Sequence, residues 1–337
     1  MNTRAGLVTS GLAAIFLLTV LVAATIGPYQ IPPLDIVTAI LGRLAGSPVD
    51  ATLDTVLMQI RLPRVAAAAL VGAALAGAGA AYQTLFRNPL VSPDILGVST
   101  GAGLGAVFGI LLGLPVMAIQ LLGFVTGLAT VSIVAFLARI LRSQNDIFVL
   151  VLSGIVVGSL ASAAISLIKI LADPYQQLPA ITFWLLGSIA GIKLVDVAAI
   201  APLIALGLAI LVAFRWHIGV LSLGDDEARA LGIDAARVRL VIIVAATLVT
   251  ASVVAVSGVI GWVGLMVPHM ARMIVGERFD RMLPATLLLG ASFMIIVDTL
   301  ARSMAKIEVP LGVLTAVVGA PTFVWLLARS RGVWVRR

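Results

Sequence analysis

Ten long apolar runs, parted by short connections that hold most of the charged residues, follow one another along this chain. A helix needs about 20 predominantly apolar residues to cross the hydrocarbon of a bilayer. The pattern therefore predicts membrane-spanning helices over 7–26, 62–82, 95–113, 116–138, 148–171, 197–214, 240–257, 262–275, 283–300 and 310–328, with a shorter apolar piece over 181–192. The first run follows Arg4 and resembles a secretory signal in outline. Its length, and the lack of a clear small-residue cleavage pattern after it, make it a retained first helix. Ten spans use roughly 200 residues, so the expected architecture is all-α and polytopic. It forms a single transmembrane domain over 1–337, with no room for a soluble catalytic module.

Composition agrees with that solvent. Hydrophobic residues make up 61% of the chain and charged residues 11%, against roughly 25% charged in soluble domains. The absence of cysteine excludes a disulfide framework, thiol catalysis and a thiolate metal site, and no metal or cofactor is expected. If the amino terminus is cytoplasmic, only Arg43, Arg61, Arg64, Lys169, Lys193, Arg302 and Lys306 of the 22 basic residues fall outside. The rest, including Arg4, Arg142, Arg329, Arg331, Arg336 and Arg337, collect on the inner side, as the positive-inside rule favours. Both ends are then cytoplasmic. The net charge of +7 follows from topology and gives no reason to invoke nucleic acid.

The loop over 215–239 is the longest polar interruption within the chain. Asp225, Asp226 and Glu227 suit the positive end of a short helix that Gly232 stops, and Asp234 is placed to cap a second one. Two short helices on a membrane face either seat in a cytosolic partner or cap the bundle. Energy must come from elsewhere. Lys169, Lys193 and Lys306 are the only lysines, and none lies in a phosphate-binding loop. Nearly every charge lies near a helix end, with Lys169 and Asp298 the nearest exceptions, whereas ion-coupled carriers hold ionisable groups in mid-membrane. A separate ATPase is favoured over proton coupling. The recurring small residues at Gly72, Gly77, Gly79, Gly97, Gly101, Gly103 and Gly105 allow close helix packing or line a passage.

Local motifs sharpen the reading. Arg61-Leu-Pro-Arg64, the run Gly72 to Gln83, and Arg87-Asn-Pro-Leu-Val-Ser-Pro-Asp-Ile-Leu-Gly97 resemble the iron-siderophore and cobalamin permeases of type II ABC importers. So do Phe183 to Ser188, Leu223 to Ile233, Gly258 to Arg272, Asp298 to Arg302, Glu308 to Gly312, and Gly319-Ala-Pro321. The resemblance covers nearly the whole chain. It departs where the family often has Asp-His-Arg and this chain has Phe279-Asp280-Arg281.

The resemblance implies a ten-helix permease paired with a second copy or a paralogue. Two cytosolic ATPases drive it, and an extracytoplasmic binding protein feeds it. It makes Leu223, Gly224, Asp225, Glu227, Ala228, Arg229, Leu231 and Gly232 the segment that seats in the ATPase. Arg61 and Arg302 become outward-facing arginines that meet carboxylates on the binding protein. Asn88, Pro89 and Leu90, with Ile147 and Phe148, become the inner constriction, closing by dewetting. His269 has no evident partner in its motif and reads as structural, and His217 as an interfacial anchor beside Trp216. The expected function is ATP-driven import of an iron(III) siderophore or related chelate across the bacterial inner membrane by alternating access. Cobalamin, haem and molybdate are alternatives, and an ion-coupled secondary carrier is the rival from another class.

Overall fold

A computed structural model describes residues 3–27, 29–141, 146–305 and 307–334. Helix α1 spans Thr3–Thr25, α2 Pro33–Leu44 and α3 Ala51–Asp54; a π-helical stretch, Thr55–Arg61, then leads directly into α4, Leu62–Leu85. A 3₁₀ turn at Pro93–Leu96 precedes α5 (Val98–Leu111), α6 (Val116–Ile140), α7 (Asp146–Leu171), α8 (Gln177–Leu186) and α9 (Leu194–Ala213). Two short helices, α10 (Arg215–Leu221) and α11 (Asp225–Ala230), lead into α12 (Ala235–Ser257), α13 (Val263–Val275), α14 (Phe279–Ser303) and α15 (Leu311–Trp334). Among the described residues there is no strand.

Seven helices are long and apolar enough to cross a membrane by length and composition: those over Gly6–Thr25, Ala51–Leu85, Val116–Ile140, Ile147–Leu171, Leu194–Ala213, Ala235–Ser257 and Phe279–Ser303. Shorter apolar helices cover Val98–Leu111, Val263–Val275 and Leu311–Leu326, and α8 is the extra piece expected near 181–192. The ten long runs predicted from hydropathy are therefore helical over most of their length, while the piece over 181–192 is helical only as far as Leu186. Of the charges used for topology, Arg142, Lys306, Arg336 and Arg337, and the side chains of Arg4, Arg329 and Arg331, lie outside the described residues.

Two features differ from expectation. The second spanning helix starts at Ala51 rather than 62. Pro63 lacks a backbone donor and fits a helix start, but the wider turns of the seven-residue π stretch before it carry the helix through. Asp234 caps no second short helix; its carboxylate accepts the Arg237 N–H at the start of long α12. The pair of short helices is instead α10 and α11.

Helix α4 is the axis of the bundle, and nearly all of its Ala- and Gly-rich length is buried. Lipid supplies no hydrophobic drive between helices, so close packing must hold them. Gly72 and Gly290 bring α4 and α14 into backbone contact: a Cβ on Gly290 would sit 2.6 Å from the Ala76 Cβ, and one on Gly72 would overlap the Gly290 carbonyl. Two turns on, Gly79 meets Gly264 of α13 in the same way. Gly101 and Gly105 of α5 lie against Thr130 and Thr126 of α6. By contrast α1, α6 and α7 expose Leu17, Leu18, Phe136, Leu160, Leu167 and Ile170, the surface expected toward acyl chains. Gly72→Val should lower the thermal stability of detergent-purified protein by about 1–3 kcal/mol or more. An unchanged melting curve would contradict a backbone-to-backbone crossing.

Candidate functional site

The α10–α11 loop is built as a platform. Ala228 is fully buried and Ile233 nearly so, anchoring one side of α11 in the apolar core that also holds Ile218 and Val238. The helix closes through Gly232, whose φ of +76° is left-handed, with the Ile233 N–H donating to the Ala228 carbonyl at 2.9 Å. Asp225, in the first turn, accepts from Arg239 of α12 at 2.9 Å on both oxygens, and the Glu227 carboxylate folds back over Gly224. What faces outward is a mixed patch. Leu223 and Leu231 are more than half exposed, Glu227 is exposed, and Arg229 pairs with Asp226 at 2.9 Å in the open. Beside it runs a groove of about 340 Å³ that includes Trp216, Leu223, Glu277 and Asp280. The eight residues singled out there by sequence thus form one element: Asp225 and Ala228 hold it down, Gly232 ends it, Gly224 is buried, and Leu223, Glu227, Arg229 and Leu231 are accessible.

On the same face, α4 ends in a tight turn. Arg87 takes φ +50°, rare for a residue with a side chain. The Asn88 side chain accepts the Leu90 N–H at 2.9 Å, and the Asn88 N–H returns to the Gln83 carbonyl. Pro89 is half-buried while Leu90 is exposed. At the start of α7, Ile147 packs on the core and Phe148 is 63% exposed. Leu90 and Phe148 are thus apolar side chains left uncovered within this chain.

The opposite face holds a feature that sequence reading missed. Arg64 of α4 donates through Nε to both oxygens of Asp298 on α14, at 2.8 and 3.0 Å, and through its two terminal nitrogens to Glu308, at 2.7 and 2.9 Å. Arg64 and Asp298 are buried at 5% and 1% exposure, with Glu308 at 41%. Asp298, one of the two nearest exceptions to charges lying at helix ends, is therefore part of an ion cluster with Arg64 at its centre. No local motif signals this, because the pairing spans 234 positions.

Arg61 and Arg302 need correction: the outward presentation expected of them is not found, and they are 3% and 6% exposed. The physical reason is the end of α1. Its last carbonyls have no intrahelical donors, and Arg61 Nη1 donates to the Ala24 carbonyl while Arg302 Nη2 donates to that of Ala23, both at 2.5 Å. Arg61 also donates to the Tyr29 carbonyl. Two guanidiniums thus cap the negative end of the α1 dipole. Arg302 still lines, with Gln30, Pro32, Ser303 and Glu308, an open cavity of about 1250 Å³ between the ends of α1 and α14.

His269 is buried in α13, its ring edge-on to Phe323 at 6.2 Å. Among the described residues neither of its ring nitrogens has a hydrogen-bond partner. His217 stacks between Phe214 and Trp216.

Known proteins resemble this chain in sequence and fold. A model of the FecCD transport family matches residues 15–329. The chain is 36% identical over 313 residues to the molybdate import system permease protein of Haemophilus influenzae, covering 93% of each. It is 41% identical over 293 residues to a probable iron chelatin transport system permease protein of Helicobacter pylori, covering 84% of this chain and 85% of the other. Among solved structures, an inward-facing conformation of a putative metal-chelate type ABC transporter superposes with a TM-score of 0.86 at 34% identity, covering 96% of this chain and 99% of that one. The seven long apolar helices, the buried α4 axis and these matches place the chain in the FecCD transport family, as the multi-pass permease subunit of an ABC importer and not an enzyme.

Proposed function

We propose that this permease carries an iron(III) siderophore or a related iron chelate inward, driven by two cytosolic ATPase subunits, and that it pairs with a second copy or a paralogue. The observation that supports this most is the likeness, at 41% identity over 84% of the chain, to an iron chelatin permease. A second reading, molybdate, draws on the likeness to the molybdate permease over 93% of the chain. Membership in an ABC importer family replaces the ion-coupled carrier alternative.

The α10–α11 face is cytoplasmic in this reading, and the membrane is the bacterial inner membrane. That face carries Arg87, Arg139, Arg215, Arg229, Arg237, Arg239, Arg278 and Arg281, against fewer basic residues on the other. Leu223, Glu227, Arg229 and Leu231 of the α11 platform seat in the ATPase, whose closure on ATP is passed to the bundle, and the helices rock to open one face at a time. Leu90 and Phe148, with Asn88, Pro89 and Ile147 behind them, close the inner end by excluding water. A binding-protein carboxylate meets Arg302 inside the cavity it lines, not on an open surface, and Arg61 lies beneath Gly27 at its edge.

Uptake of radiolabelled ferric siderophores, ferric citrate, haem, cobalamin and molybdate, in cells with and without this chain and before and after ATP depletion, tests the assignment. Loss of one iron chelate on both deletion and depletion is the expected result. Selective loss of molybdate would replace the iron reading with the second one.

A further inference from the structure

On the α10–α11 face a second groove, of about 340 Å³, opens between α6, α7 and α12. Its floor is apolar, including Ala138, Leu150, Leu240 and Ile243, and its head carries two guanidiniums, Arg139 in the last turn of α6 and Arg239 in the second turn of α12. Asp225 is the one carboxylate that serves this pair among the described residues, through Arg239 Nη2 at 2.9 Å. Arg239 Nε is buried without a hydrogen-bond partner, and Arg139 is exposed without an ion pair among the described residues. Two fixed cations against one anion leave a positive excess.

We propose that this groove binds an acidic phospholipid of the adjoining leaflet, its phosphate between Arg139 and Arg239 and an acyl chain along Ala138, Leu150, Leu240 and Ile243. The charge excess calls for an anion. The apolar floor, running from the helix ends toward the middle of the bundle, calls for one that carries a hydrocarbon chain, which a soluble phosphate or a protein carboxylate does not. Basic pockets between transmembrane helices at this level suit anionic headgroups. The site does not depend on which solute is carried. Its consequence for coupling rests on the role proposed for α11, because Arg239 holds both the lipid phosphate and Asp225 in the first turn of that helix.

Native mass spectrometry of the full-length chain, extracted from bilayers of equal phosphatidylglycerol and phosphatidylcholine, tests the site. Wild type is expected to retain phosphatidylglycerol in preference. Arg139→Gln should weaken that retention about fivefold, Arg139→Lys should preserve it, and Arg281→Gln, on the same face but outside the groove, should leave it unchanged. Arg139 is exposed, so these variants should melt like wild type. Equal retention of both lipids, or undiminished phosphatidylglycerol in Arg139→Gln, overturns the proposal. So does displacement of the lipid by millimolar inorganic phosphate, which would make the groove a site for a soluble anion. In liposomes holding the whole importer, Arg139→Gln should lower substrate-stimulated ATP hydrolysis with phosphatidylglycerol and not with phosphatidylcholine alone. Equal rates in both would remove the link to α11 while the retention data decide the site itself.

Discussion

Asp298→Ala should leave little folded protein. The substitution strips Arg64 of its Nε partner, deprives Arg302 of the carboxylate 3.9 Å away, and keeps both guanidiniums buried at 5% exposure. Glu308 still holds the terminal nitrogens of Arg64, while Arg64 Nε and the Arg302 guanidinium lose their carboxylate. Removing one partner of a buried ion pair costs about 3–5 kcal/mol. That is a large part of the roughly 5–15 kcal/mol that holds a typical domain together. Monodisperse yield by fluorescence-detected size exclusion reads the loss, and Asp298→Asn, which keeps an acceptor, should fall between. Arg43→Ala is the control: its pair with Asp54 is 57% and 31% exposed at the two side chains, and such surface pairs contribute about 0–1 kcal/mol. Equal yields for Asp298→Ala and Arg43→Ala would show that the cluster does not hold the fold.

Replacing Glu227 and Arg229 together by alanine should abolish uptake while leaving the bundle intact. Both side chains are exposed, and the Arg229–Asp226 pair, at 70% and 91% exposure, contributes about 0–1 kcal/mol at most. The anchors of α11, Ala228 and Ile233 in the core and Asp225 on Arg239, are untouched. Reconstituted with its ATPases, the double variant should still hydrolyse ATP but accumulate no more labelled substrate than ATP-depleted vesicles do. Normal uptake at normal yield would remove the docking role from this helix. Weakened ATPase binding without uncoupling would make it an anchor only.

Hydropathy located the helices well because crossing a bilayer is a one-dimensional demand: a run is apolar for long enough or it is not. The sequence limits of 116–138 and 148–171 differ from the observed helices by two residues at one end. Where the demand is local geometry, the pattern misled. The run read from 62 continues back through a π stretch to Ala51, and Asp234 reads as the cap of a short helix while it caps a long one. Amphipathic α2, with Asp35 and Arg43 on a half-apolar segment, left no spanning signal and went unread. Site residues divide the same way. The α11 platform is contiguous in sequence and could be read from Gly224 to Gly232. The Arg64–Asp298–Glu308 cluster joins positions 234 and 244 apart and needed coordinates. The resemblance led to Arg61 and Arg302 but not to the way they point, which the unpaired carbonyls at the end of α1 decide.

Those two arginines also bear on how the chain is made. Helix α1 emerges from the ribosome well before α14; it exposes Leu7, Leu17, Leu18 and Leu21 to lipid and buries Leu12, Ala23 and Ala24. One of the donors that fix its far end, Arg302, lies 279 positions downstream of the carbonyl it meets. During synthesis Arg61 can cap α1 early, whereas the second cap must wait until α14 has been threaded into the membrane. A chain truncated before residue 298 would hold the end of α1 through Arg61 alone and would leave Arg64 without Asp298 and Glu308, so both constraints are completed only late in synthesis.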